Sequence, residues 1–154
     1  MPREVITKIN DIFTKWQGTP WRDAETTPNG GVDCLRFVLA VWTEMDPTLK
    51  GYPIPDVSFD LRLIDPPGYM LLLSEMLTHY SAVDITNTPS GEGFGVWGDI
   101  LSFRGRHFVI RGTDSKDDVW HVSARGDEVR KSRVTDLVDT SGMSIFRYGK
   151  RGNW

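Results

Sequence analysis

With 154 residues, 39% hydrophobic and 25% charged, the chain has the makeup of one ordinary globular domain spanning 1–154. A formal net charge of -3 gives no global pull toward nucleic acid or anionic membrane, so neither is expected as a partner. The longest apolar run, Phe37 to Trp42, is far too short to cross a bilayer, and the opening MPREVITKINDIFTKW lacks a signal-peptide core and cleavage site. The single cysteine, Cys34, excludes an intrachain disulfide and a cysteine-rich zinc centre. That thiol is either buried filler or a reagent.

In chain order, residues 3–16 read as an amphipathic helix with Val5, Ile9, Ile12 and Trp16 on one face and Ile6 and Phe13 beside it. Gly18 and Pro20 end it. A polar loop from Arg22 to Gly31 leads to a second helix, Cys34 to Met45, apolar on most sides and therefore expected in the core. Asp33 suits its N-cap, Arg36, Thr43 and Glu44 form its one polar strip, and Pro47 stops it. Gly51 to Gly68, rich in proline and aspartate, reads as an irregular excursion able to shield a cleft, and Tyr69 to Tyr80 as a third helix. After the glycine-rich Ser90 to Gly98 the period changes. Short strands are expected at Ile100–Phe103, Phe108–Arg111, Val119–Ser123, Glu128–Ser132 and Met143–Tyr148. Helices first and an antiparallel sheet afterwards predict an α+β domain.

Cys34 falls in the first turn of its helix, where unpaired N–H groups and the helix dipole favour an anion and hence a thiolate. The glycines before it would let a substrate backbone approach. A thiol nucleophile needs a base, and imidazole is the usual one. Of the three histidines, His79 lies near the end of a surface helix and reads as solvated. His107 begins one strand and His121 lies in the next. If that hairpin closes near 114–115 in an even register, both imidazoles share a face; an odd register would separate them. His107 would then take the thiol proton, and His121 would accept the other ring N–H and orient it. The spacings match no common zinc motif, and no metal or other cofactor is implied. Arg22, Arg36, Arg104, Arg106 and Arg125 would steer a carboxylate-bearing substrate or simply be solvated.

These motifs, in this order, resemble those of the NlpC-type cell-wall peptidases, papain-like cysteine hydrolases that cut peptidoglycan stem peptides. GTPW (18–21) looks like the family's GxPY, VDCLRFV (32–38) like DCSGLV, GDILSF (98–103) like GDLVFF, and RHFVIRG (106–112) like HVGIYLG. VWHVSARGDEVRKSRV (119–134) resembles the strand whose polar residue completes the triad. The resemblance covers almost the whole chain and is nearest to the phage-tail-associated subgroup. It implies a papain-like fold with the N-terminal helices packed on the sheet. It implies Cys34 as nucleophile, His107 as general base and acid, and His121 as orienting residue. Oxyanion donors would sit around the cysteine N–H, and Trp21, Asp33, Leu35 and Arg36 would border the substrate. Leu35 and Arg36 stand where the family has Ser-Gly, Phe108 and Val109 where it has Val-Gly, and Trp21 where it has tyrosine. The expected partners are a peptidoglycan stem peptide and other phage tail proteins, in a virion tail or in the cytoplasm before assembly. The alternatives are a structural tail protein that kept the fold without turnover, and a thiol amidase or acyltransferase on another amide or ester.

Overall fold

The computed structural model describes residues 3–23, 25–51, 61–124, 126–137 and 140–154. Its architecture is mixed α+β. Helix α1 (Arg3–Trp16) buries Ile9, Ile12, Phe13 and Trp16, the stripe its periodicity marks. A two-stranded ribbon, β1 (Thr26–Thr27) and β2 (Gly31–Val32), delivers the chain to α2 (Cys34–Met45). After the turn following α2, and beyond residues 52–60, which lie outside the described residues, come a single helical turn, α3 (Leu61–Ile64), and α4 (Pro66–His79).

The expected irregular segment therefore ends early. Asp65 caps α4 by accepting from Gly68 N, and Pro66 fills the first helical position, where its missing N–H costs nothing.

Strand β3 (Ala82–Asp84) precedes the glycine-rich loop; β4 (Ile100–Phe103), β5 (His107–Arg111), β6 (Asp118–His121), β7 (Arg130–Arg133) and β8 (Met143–Tyr148) follow it. They form one antiparallel sheet in the order β3-β8-β4-β5-β6-β7. Alternation along the strands sorts the core into two layers. Ile100, Phe108, Ile110 and Tyr148 pack under α1, α2 and α4 in the larger one. Leu101, Phe103, Val109, Val119 and Ile145 line the other face, closed by Ile85, Val134, Phe94 and Leu137 from loops.

Two polar devices fix this frame. Arg111 is only 2% exposed, and its guanidinium donates to four carbonyls: Asp118 O at 3.0 Å and Phe94 O, Gly95 O and Ser115 O at 2.9 Å each. The Asp118 carboxylate accepts from Asp114 N at 3.0 Å and Ser115 N at 2.9 Å, shaping the β5–β6 turn. At the other end of α2, buried Asp46 accepts from the Tyr148 hydroxyl and from Asn153 Nδ2, tying the helix end to β8 and the C-terminal turn. These bonds hold the Asp46 carboxyl well below the usual carboxylate range.

Asp118→Ala should strand the two turn N–H groups and one face of Arg111. The hydrogen bonds lost are worth about 0.5–1.5 kcal/mol each, so a urea titration should show a fall in midpoint. An unchanged midpoint would mean that the turn does not depend on this carboxylate.

Candidate active site

Cys34 is the first residue of α2, half-buried, and packs at the margin of the larger core. Asp33 is the N-cap: its Oδ1 accepts from Arg36 N at 2.9 Å, and its Oδ2 takes the Arg36 guanidinium at 2.8 Å. No capping box is present: both bonds run from Arg36, through its backbone N–H and its guanidinium, to the Asp33 carboxylate. Arg36, expected on a polar strip, is 4% exposed, because this ion pair lets its charge lie inside the helix packing. Leu35 is 6% exposed and belongs to the core. Gly31 is not a gap for substrate. A Cβ there would meet Arg22 Cδ at 2.2 Å and Glu25 Oε2 at 2.4 Å, so the glycine makes room for the chain's own side chains.

The start of α2 lies at the same end of the sheet as His107 and His121, on two grounds. Near the end of the helix, Trp42 Nε1 donates to Gly98 O, and Gly98 N bonds Arg111 O at the far end of β5. From Trp42 back to Cys34 the helix covers about 12 Å. Strand β5 covers about 13 Å from Arg111 back to His107, and α2 packs along it. Independently, Trp21 N bonds Asp127 O, Gly18 N bonds Val129 O and Trp21 bridges Val32, anchoring the approach to Cys34 beside the β6–β7 connection. Half-buried Trp21 thus stands next to the helix start.

The β5–β6 hairpin has the even register: Ile110 faces Trp120 and Arg111 faces Val119. His107 and His121 consequently share a face and meet, His107 Nε2 lying 3.3 Å from His121 Nδ1 with the rings 5.5 Å apart at 71°. Half-buried His107 also stacks on Phe103, its cross-strand neighbour, at 6.3 Å. That face is the one bearing Phe103, Val109 and Val119, whereas Phe108, Ile110 and Trp120 turn toward the helices. The two imidazoles therefore come together at the right end of the sheet, but they leave it on the side away from the body of α2.

His121 is 1% exposed. Its Nε2 lies 2.9 Å from Ser132 Oγ, and its Nδ1 is also 3.2 Å from Ser123 Oγ. Burial, with a smaller push from Arg130 and against the pull of Asp127, lowers its pKa from 6.5 to about 4. Neutral His121 can accept a hydrogen bond from His107, the state an orienting residue needs. The contact of Ser132 with His121 depends on the β6–β7 register and carries no local sequence signal, whereas Ser123, two residues beyond His121, reaches it along the same segment. His79 is the exposed last residue of α4, apart from this cluster. Arg22, Arg104 and Arg106 are exposed, and Arg125 lies outside the described residues. Among the described residues, no group of three or more His, Cys, Asp or Glu is arranged to hold a metal ion, and no helix is long and apolar enough to cross a membrane.

Compared with known proteins, the chain matches no family model and no curated sequence.

Because folding lowers the His121 pKa, the unfolded chain binds the proton first on acidification. The stability this group contributes is whole above 6.5 and is lost as pH falls toward about 4. Nitrogen-15 NMR of the histidine side chains should show His121 neutral at pH 5.5. A His121 midpoint near 6.5 would contradict the buried, uncharged acceptor described above.

Proposed function

We propose that the protein is a papain-like cysteine hydrolase of the NlpC type that cleaves amide bonds in peptidoglycan stem peptides and acts with a phage-like tail. The observation that carries this reading is the His107–His121 contact, 3.3 Å long, at the sheet end where α2 begins with the only thiol in the chain. With Nε2 of His107 held by a neutral His121, Nδ1 is the nitrogen that serves as base.

In the proposed cycle His107 takes the proton of Cys34, and the sulfur attacks the amide carbonyl to form a tetrahedral oxyanion. The oxyanion sits against the backbone N–H of Cys34 at the positive end of the helix. His107 then returns the proton to the leaving amine and a thioester remains. Water, deprotonated by His107, attacks the thioester and releases the acid and the free thiol. Arg36 cancels the negative charge that Asp33 would otherwise set beside the sulfur. Leu35 and Trp21 supply apolar wall, and exposed Arg22, near Gly30, is suited to a substrate carboxylate.

One observation favours a second reading. Strand alternation puts His107 and His121 on the sheet face opposite the one covered by the helices, so a tail component that kept the fold and the histidine pair, without turnover, fits the same arrangement.

Digestion of purified peptidoglycan sacculi, with mass spectrometry of the new ends, separates the two. The wild type and His79→Ala should release peptide fragments at equal rates, whereas Cys34→Ala and His107→Ala should lose about 10³-fold or more. In parallel, Cys34 should react with iodoacetamide in the native protein. Absence of release, together with labelling that requires denaturant, would rule out hydrolysis and leave the structural reading.

A further inference from the structure

His121 is the buried member of the histidine pair, and its two ring nitrogens meet different partners. Nδ1 faces His107 Nε2 at 3.3 Å and Ser123 Oγ at 3.2 Å, and Nε2 faces Ser132 Oγ at 2.9 Å. A neutral imidazole has one N–H and one bare nitrogen. With its hydrogen on Nε2, His121 donates to Ser132 and accepts from His107 Nε2–H, which leaves His107 Nδ1 bare. With its hydrogen on Nδ1, His121 donates to His107 Nε2. His107 then carries its own hydrogen on Nδ1 and has no nitrogen left to accept a proton.

A serine hydroxyl can donate or accept, so Ser132 could serve either form of the neutral pair. Protonation of His107 breaks the tie. The imidazolium has N–H on both nitrogens, so its Nε2–H needs an acceptor at His121 Nδ1. Only the form with hydrogen on His121 Nε2 provides one, and Ser132 must then be the acceptor on the far side. The second proton stays on His107. His121 is buried, and Arg130, paired with it across β6 and β7, opposes a charge there more strongly than Asp127 favours one.

Ser123 cannot take this part. It is exposed, and it meets the nitrogen that His107 already occupies. Ser132 sits on β7 opposite Val119, two residues before His121 on the same face, so the sheet itself holds its hydroxyl at Nε2.

We propose that Ser132 is a positioning residue that fixes the tautomer of His121 by accepting from its Nε2–H, and so keeps His107 Nδ1 available as a base. The last step rests on the cysteine hydrolase reading; the tautomer assignment does not.

The test compares Ser132→Thr with Ser132→Val in the full chain. The two replacements have the same shape, both suit a strand, and they differ only by a hydroxyl in place of a methyl. Nitrogen-15 shifts of the histidine rings report the tautomer directly, and native-state alkylation of Cys34 by iodoacetamide reports the base. The wild type and Ser132→Thr should show hydrogen on His121 Nε2. Ser132→Val should lose that signature and slow alkylation at neutral pH by about tenfold. Hydrogen on Nδ1 in the wild type, or an unchanged tautomer in Ser132→Val, overturns the proposal. A tautomer that changes in Ser132→Val while alkylation ignores both this variant and His107→Ala upholds the role of Ser132 at His121. It would count against the hydrolase reading instead. If Ser132→Val does not fold, Ser132→Ala with the same readouts takes its place.

Discussion

The register of the β5–β6 hairpin is the constraint on which the candidate site depends, and a buried arginine sets it. Arg111 ends β5 pointing into the loop layer, where the glycine-rich segment and the hairpin turn both present carbonyls to it. Asp118, opening β6, gathers the turn N–H groups from the other side. A slip of one residue would move every side chain of β6 to the opposite face. It would place His121 among the residues under α1 and leave His107 alone. Here an electrostatic cluster at one end of two strands fixes which atoms meet at the other. The bonds use all three guanidinium nitrogens, which is why so polar a side chain can lie at 2% exposure.

The start of α2 shows how charge is arranged around the thiol. A lone aspartate cap next to Cys34 would place a full negative charge beside the sulfur and oppose the helix dipole. The Arg36 guanidinium, 2.8 Å from that carboxylate and buried with it, makes the cap locally neutral. The dipole and the first-turn N–H groups then act on the sulfur without an opposing net charge from the cap. Leu35 and Arg36 therefore do more than line a pocket. Leu35 extends the core to the edge of the site, and Arg36 becomes part of the cap.

Much of the frame was legible in the sequence because it follows from local rules. The boundaries of α1 and α2 fall where the apolar period meets Gly18, Asp33 and Pro47, and β4 and β8 fall within their expected limits. The failures have different causes, some distant along the chain and some local. Ala82–Asp84 is short and mostly exposed, and it becomes a strand only by pairing with β8. Pro66 and Pro67 looked like irregular chain, yet after a capping aspartate they open a helix. Gly31 looked like access for a ligand but accommodates Arg22. For the site, the proximity of His107 and His121 was legible up to one bit, the parity of the hairpin. The identity of Ser132 was not, because its place at Nε2 needs the β6–β7 register as well. The side of the sheet taken by the imidazoles, relative to α2, depends on which strand face the helices cover. No local pattern of alternating residues distinguishes two faces that are both apolar.

A neutral orienting residue has a consequence for how a thiolate–imidazolium pair could be held. A carboxylate partner stabilises an imidazolium by full charge attraction as well as by a hydrogen bond; a buried neutral histidine gives the bond alone. On the His107 side the surroundings therefore favour correct orientation over a strong pull on the proton. In the proposed mechanism any further stabilisation of the charged pair would come from the sulfur side, through a helix start whose cap carries no net charge. In the proposed mechanism the geometry of the base would be set by the sheet and the charge of the nucleophile by the helix. The two can act together only where the end of β5 meets the first turn of α2.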